Sequence, residues 1–161
     1  MQLDFFSDSL VYSDDRDRNE QDLRSEALGL YSRMANSGKI HRTLNFLRHQ
    51  SRKLADLETS KPETCKQSRH YAGQQSIAIA QIKGTEGREV DFDDAFNPLH
   101  DRLRSRWLGV ASVRLSGKEL PPVEVVRMGG DYYVQDGHHR ISVARALGEQ
   151  FVDAEVIDLD C

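Results

Sequence analysis

Tyr132-Tyr133-Val134-Gln135-Asp136-Gly137-His138-His139-Arg140-Ile141-Ser142-Val143-Ala144 reads as a strand that turns into a helix. Tyr132, Tyr133 and Val134 have the aromatic and β-branched bulk that suits a pleated surface. Asp136-Gly137 breaks the strand, and beyond it Ile141, Ala144 and Leu147 recur on one helical side until Gly148 stops them. A strand-to-helix turn has chemical meaning, because the first backbone N–H groups of a helix have no partner in its ladder and sit at the positive end of its dipole. They readily hold a phosphate or another anion. Gly137 lets a ligand approach the backbone, His138 and His139 add donors, and the planar guanidinium of Arg140 can clamp phosphate oxygens. Asp136 caps the helix, holds a magnesium ion beside the phosphates, or acts as a base. The simpler alternative is a plain N-cap at Asp136, exposed histidines and a surface acid for Arg140.

Downstream of Pro121-Pro122, Val123 to Met128 is a strand, and Gly129-Gly130 suits a tight hairpin turn into Tyr132 because both positions accept positive φ. Val152 to Ile157 is a closing strand. On the upstream side Ile77 to Ile82 is a short β-branched strand, Gly84 to Asp94 a charged loop, and Asn97-Pro98 a helix start. Leu99, Leu103, Trp107 and Val110 then share one face, which makes Trp107 a core residue, and Ser116-Gly117 ends that helix. The order β, α, β-hairpin, α, β over residues 76–161 predicts an α+β domain, a small mixed sheet with packed helices.

Residues 1–60 differ. Leu23, Ala27, Leu30 and Met34 recur at helical spacing, as do Ile40, Leu44, Leu47 and Leu54, with Asn36-Ser37-Gly38 between them as a stop. The expectation is an N-terminal helical hairpin joined to the domain by a polar linker, 61–75, containing Pro62 and Gly73. Ser37-Gly38-Lys39-Ile40 lacks the earlier glycine and following hydroxyl of a phosphate loop.

The 161 residues carry 22 Lys and Arg against 26 Asp and Glu, a net charge of −4, which disfavours a wholesale nucleic-acid binder. The charge is uneven: residues 1–28 are acidic, whereas Arg33 to Lys53 contains no carboxylate. Arg42, Arg48, Arg52 and Lys53 are therefore candidates to touch DNA or an acidic protein partner, unless the run is simply a solvated helix face. In the loop, Glu86 is a candidate base, Arg88 a phosphate ligand and Asp93 a metal ligand with Asp136. Cys65 and Cys161 show neither metal-ligand spacing nor a disulfide framework, and His41, His49, His70 and His100 are scattered. Met1 to Leu10 lacks a leader pattern and no window nears the roughly 18 apolar residues of a membrane span. A reducing, cytoplasmic setting is expected, with no membrane.

From Ile77 to Asp158 the chain resembles the fold shared by the N-terminal domain of ParB partitioning proteins, sulfiredoxin and the archaeal free-serine kinases. The resemblance rests on Leu120-Pro121-Pro122-Val123-Glu124-Val125-Val126, on Gly130 through Ala144, and on Gly148 with the strand after it. It is nearest to bacterial ParB-like proteins that share Asp91-Phe92-Asp93, Arg106-Trp107 and the 136–140 turn. Against the ParB turn Gly-Glu-Arg-Arg, Gly137 and Arg140 match and the histidines do not, which implies phosphate binding without cytidine specificity. Against the sulfiredoxin turn Gly-Cys-His-Arg, His138 replaces the reactive cysteine, so sulfinic-acid reduction is not implied. Asp136-Gly137-His138 matches the serine-kinase turn, whose catalytic glutamate corresponds in place to Glu86. ParB proteins continue into a helix-turn-helix domain, while this sequence runs to Cys161 just past its closing strand, so a complete partitioning factor is not expected.

The resemblance implies a nucleotide ligand, ATP, ADP or CTP, held with Mg2+ by Gly137, His138, His139, Arg140 and Arg88. Asp136, His138, His139 and Glu86 would be the catalytic groups of a nucleoside triphosphatase or phosphotransferase. The alternatives are a non-catalytic DNA- or protein-binding adaptor working through residues 33–53, and a ParB-like nuclease.

Overall fold

The computed structural model describes residues 8–48, 54–65, 68–87 and 90–161, with the side chains of the first helix described over 19–40. The chain runs α1 (Asp8–Arg48), β1 (Ala55–Asp56), α2 (Leu57–Ser60), β2 (Ser68–Ala78), β3 (Ile82–Thr85), α3 (Arg104–Leu115), β4 (Val123–Met128), β5 (Asp131–Asp136), α4 (His138–Ala146) and β6 (Phe151–Asp160). Its architecture is α+β, with one six-stranded mixed sheet in the order β1-β3-β5-β4-β6-β2. The β4–β5 and β2–β6 pairs are antiparallel, and the β1–β3, β3–β5 and β4–β6 pairs are parallel.

Successive strand residues face opposite sides of the sheet, and two of the three apolar clusters follow from that alternation. Val125, Tyr132, Val134, Ala154 and Val156 pack with Phe92, Phe96 and Ile141 on the face that carries α4. Val126, Tyr133 and Leu159 pack with Leu57 on the other. Ala27, Leu30 and Tyr31 of α1, Trp107 and Ala111 of α3 and Val143 of α4 make a three-helix cluster beyond the sheet. The indole N–H of Trp107 donates to Ser142 Oγ at 2.8 Å, and α4 is consequently buried on both sides.

The glycine-mediated turns fall where the sequence puts them. Gly129 turns the β4–β5 hairpin at φ +62°, Gly117 follows α3 at +76° and Gly148 follows α4 at +77°.

Several expectations are corrected. The helical hairpin is absent: Asn36, Ser37 and Gly38 lie inside the single 41-residue helix α1. Gly38 is a close-packing position, where an added Cβ would stand 3.2 Å from Asn97 Cβ and 3.5 Å from the Pro98 carbonyl oxygen. Residues 68–75, expected as linker, belong to β2, whose polar sequence suits an edge strand with an exposed face. Asn97-Pro98 does not start a helix; Asn97 instead donates its backbone N–H and side-chain amide to Asp93 at 2.8 and 2.9 Å, and α3 begins at Arg104 after a 3-10 turn. Cys65 and Cys161 form a disulfide across 96 residues of sequence, so the reduced pair expected from their spacing is not what the fold produces. No helix among the described residues is long and apolar enough to cross a membrane.

Candidate functional site

Gly137 occupies the N-cap of α4 in the left-handed region, at φ +102° and ψ +14°. Only glycine adopts this readily, and the space enforces the same choice: a Cβ here would meet Val123 Cγ1 at 2.5 Å and Val123 Cβ at 2.8 Å. The first helical bond runs from the Ile141 N–H to the Gly137 carbonyl at 3.0 Å. No side chain caps this end. Asp136, the capping residue of the simpler reading, turns its carboxylate to the Arg140 guanidinium instead.

The turn opens on a cavity of about 230 Å3, walled by Arg106 and Val110 of α3, by Leu120 and Pro121, and by Asp136 through Arg140. Arg106 and Val110 are one helical turn apart and so present one face of α3 to the cavity. The sequence reading missed Arg106 as a ligand-facing group. Its signal was available in the i, i+4 spacing with Val110 and in its place next to Trp107, which is wholly buried.

Arg140 is more committed than a free phosphate clamp. Its Nη1 donates to the carbonyl oxygens of Pro121 and Pro122, at 2.7 and 2.5 Å, while Nη2 meets Asp136. It therefore fixes the 120–122 wall and offers its remaining edge to the cavity. Both histidines are buried, at 3 and 6% exposure, where the simpler reading had them exposed. The Thr85 hydroxyl lies 3.2 Å from the Val134 carbonyl oxygen and shares a 2.6 Å hydrogen bond with His138 Nε2. Phe92 stacks on the His138 ring at 5.9 Å and meets the His139 ring edge-on at 5.3 Å. The rings thus set the helix's position while its backbone end lines the cavity.

The structure does not bring every candidate to this place. Glu86 is held by Arg69 at 2.7 Å and by Gln135 at 2.5 Å. Arg69 is in register with Leu159, whose side chain packs with Leu57 on the face away from α4, so Glu86 lies across the sheet from the cavity. The Arg69 guanidinium and the Gln135 amide hold its carboxyl below the usual carboxylate range against the opposing effect of burial. Asp93 accepts from the Ala95 and Asn97 N–H groups and the Asn97 amide, closing its own loop. Arg88, Arg52 and Lys53 lie outside the described residues, as do the side chains of Arg42 and Arg48 on α1.

Among the described residues no three His, Cys, Asp or Glu side chains converge as a metal cage, and of the two metal candidates only Asp136 borders the cavity.

The depressed Glu86 titration has a testable sign. A carboxyl whose folded pKa lies below its unfolded value, about 4.3, stabilises the fold above that value and loses its contribution as pH falls through the folded one. The urea midpoint of wild type is expected to fall between about pH 5 and pH 3, and that of Glu86→Gln to fall less, by under about 1 kcal/mol for a partly exposed pair. Equal slopes in the two proteins would show that the pair contributes nothing.

No protein-family model matches the chain, and no curated protein does. Among solved structures, sulfiredoxin from Arabidopsis thaliana is similar, at 19% identity and a TM-score of 0.35, over 52% of this chain and 82% of that one. A likeness at that level carries no residue's role across to this chain.

Proposed function

We propose that the cavity at the head of α4 binds the phosphate end of a nucleoside phosphate. The observation that supports this most is the N-cap: a left-handed glycine with no side-chain cap opens a helix's positive end onto a cavity flanked by Arg106 and Arg140. Backbone N–H groups of the first turn would grip phosphate oxygens, as helix N-termini do. Arg106 would close over them from α3, and Arg140, pinned by two proline carbonyls, would hold the facing wall in place. Among the described residues, Asp136 is the one carboxylate lining the cavity. It is therefore the candidate base if the bound phosphoryl group is transferred to water or to another acceptor, a reaction governed by positioning and charge neutralisation.

Calorimetry with ATP, ADP, CTP and GTP, each with and without magnesium, tests the reading. At least one is expected to bind. Arg106→Ala should weaken it about tenfold or more, the value of a charge-assisted hydrogen bond, and should leave the urea midpoint unchanged because Arg106 is exposed. Silence for all four nucleotides, or an Arg106→Ala affinity equal to wild type, would overturn the assignment. Phosphate release that survives Asp136→Asn would remove the base role and leave the binding reading standing.

A further inference from the structure

We propose that the Cys65–Cys161 disulfide is a thiol–disulfide exchange site: a reversible latch, opened by a dithiol, on the outer end of the β2–β6 pair. Cys161 follows β6 directly and is exposed. Cys65, in a turn closed by its N–H to the Pro62 carbonyl at 3.0 Å, is partly exposed. A small thiolate can therefore reach the bond, as exchange requires.

What the bond holds is weakly held otherwise. At this end Ser68 pairs with Asp160 and Arg69 with Leu159, and no residue from Ser68 to Tyr71 is buried. Besides the backbone ladder, the segment keeps three surface contacts: His70 with Asp160 at 2.7 Å, the Tyr71 hydroxyl donating to Glu155, and the reach of Arg69 to Glu86. Segments with few apolar anchors open locally at low cost. The interior behind the latch is differently built: Leu57, Val126, Tyr133 and Leu159 form their own buried cluster, against which Cys65 only rests. Opening the bond thus frees the strand end and loosens Arg69 from Glu86 while the sheet stays folded, and reclosing restores both. The step balances with a dithiol reductant, which delivers two electrons and two protons, becomes a disulfide itself and leaves thiols at Cys65 and Cys161. The latch does not depend on the ligand proposed for the cavity.

Thiol titration and amide hydrogen exchange test it on the full chain. Protein purified in air is expected to show no titratable thiol in denaturant, and protein treated with dithiothreitol to show both cysteines. In the reduced form, the amides of residues 68–71 should exchange about tenfold faster or more, a local opening, with those of β4, β5 and α4 unchanged. Oxidised glutathione should restore the slow pattern. Cys161→Ser, which alters only the last residue, should show the fast pattern without reductant. Two titratable thiols in air-oxidised protein would overturn the proposal. So would exchange that accelerates everywhere, or nowhere, on reduction.

Discussion

Gly137→Ala is expected to destabilise the protein by about 2–5 kcal/mol, read as a fall in the urea midpoint at unchanged slope. Two costs add. At φ +102° an L side chain sits in the left-handed region, worth about 1–2 kcal/mol. The new methyl group would also stand 2.5 Å from Val123 Cγ1 and 2.8 Å from Val123 Cβ, and overpacking of that kind costs about 1–3 kcal/mol. Val123 cannot retreat, since it is 2% exposed and begins β4 in register with Ala154 of β6. The two costs are separable: Val123→Ala placed in the Gly137→Ala background should recover the steric part, after allowance for its own cavity, and leave the backbone part. A Gly137→Ala protein within about 1 kcal/mol of wild type would mean that the turn is not left-handed. The variant also bears on function, because a shifted first turn moves the N–H groups of His138 and His139. Ligand affinity should then fall together with stability, whereas Arg106→Ala lowers affinity alone. Arg140 belongs with Gly137 in this respect: its removal strips two proline carbonyls of their donor as well as opening the cavity wall, so loss of binding in Arg140→Ala would not by itself report a phosphate contact.

The parts of the fold that were legible are those fixed by neighbours in sequence. The Gly129 hairpin, the Gly148 stop and the strand-to-helix switch at Gly137 each depend on backbone conformations that a few adjacent residues impose. The parts that were not legible depend on what crosses the segment in space. Gly38 read as a helix stop, but its missing side chain makes room for Asn97 and Pro98, sixty residues away. Asn97-Pro98 read as a helix start because the competing acceptor, Asp93, is recognisable only once the loop has closed on it. β2 is too polar to announce itself, and its strand identity comes from ten register pairs with β6. The disulfide joins residues whose spacing resembles no framework. Within the site, the 136–140 turn was legible as a unit. Arg106 was one more charged residue until α3 was seen to lie beside that turn, and Glu86 looked near the turn in the loop order yet faces the opposite side of the sheet.

The second large effect is expected at Trp107. Its ring meets Tyr31 of α1 edge-on at 5.5 Å, and its N–H donates to the wholly buried Ser142 of α4. One side chain thus ties three helices together. Trp107→Ala should cost about 3–5 kcal/mol, the range for truncating a large buried aromatic, with an added cost for the Ser142 hydroxyl that loses its donor. The loss should not fall evenly. Among the described side chains of α1, residues 19–40, only Ala27, Leu30, Tyr31 and Gly38 are buried, and the first three of these pack in the cluster that holds Trp107. The sheet has its own clusters on both faces and does not use this residue. Trp107→Ala is therefore expected to release α1 before the sheet unfolds, seen as trypsin cleavage at Arg24 and Arg33 in native buffer that wild type resists, with slow exchange retained in β4, β5 and β6. Trp107→Phe keeps a ring against Tyr31 and removes only the hydrogen bond, so it should cost about 1–2 kcal/mol and leave α1 docked. If Trp107→Ala instead unfolds in one transition, with α1 and the sheet lost together, then α1 is part of the domain's cooperative core and the three-helix cluster is coupled to the sheet through α4.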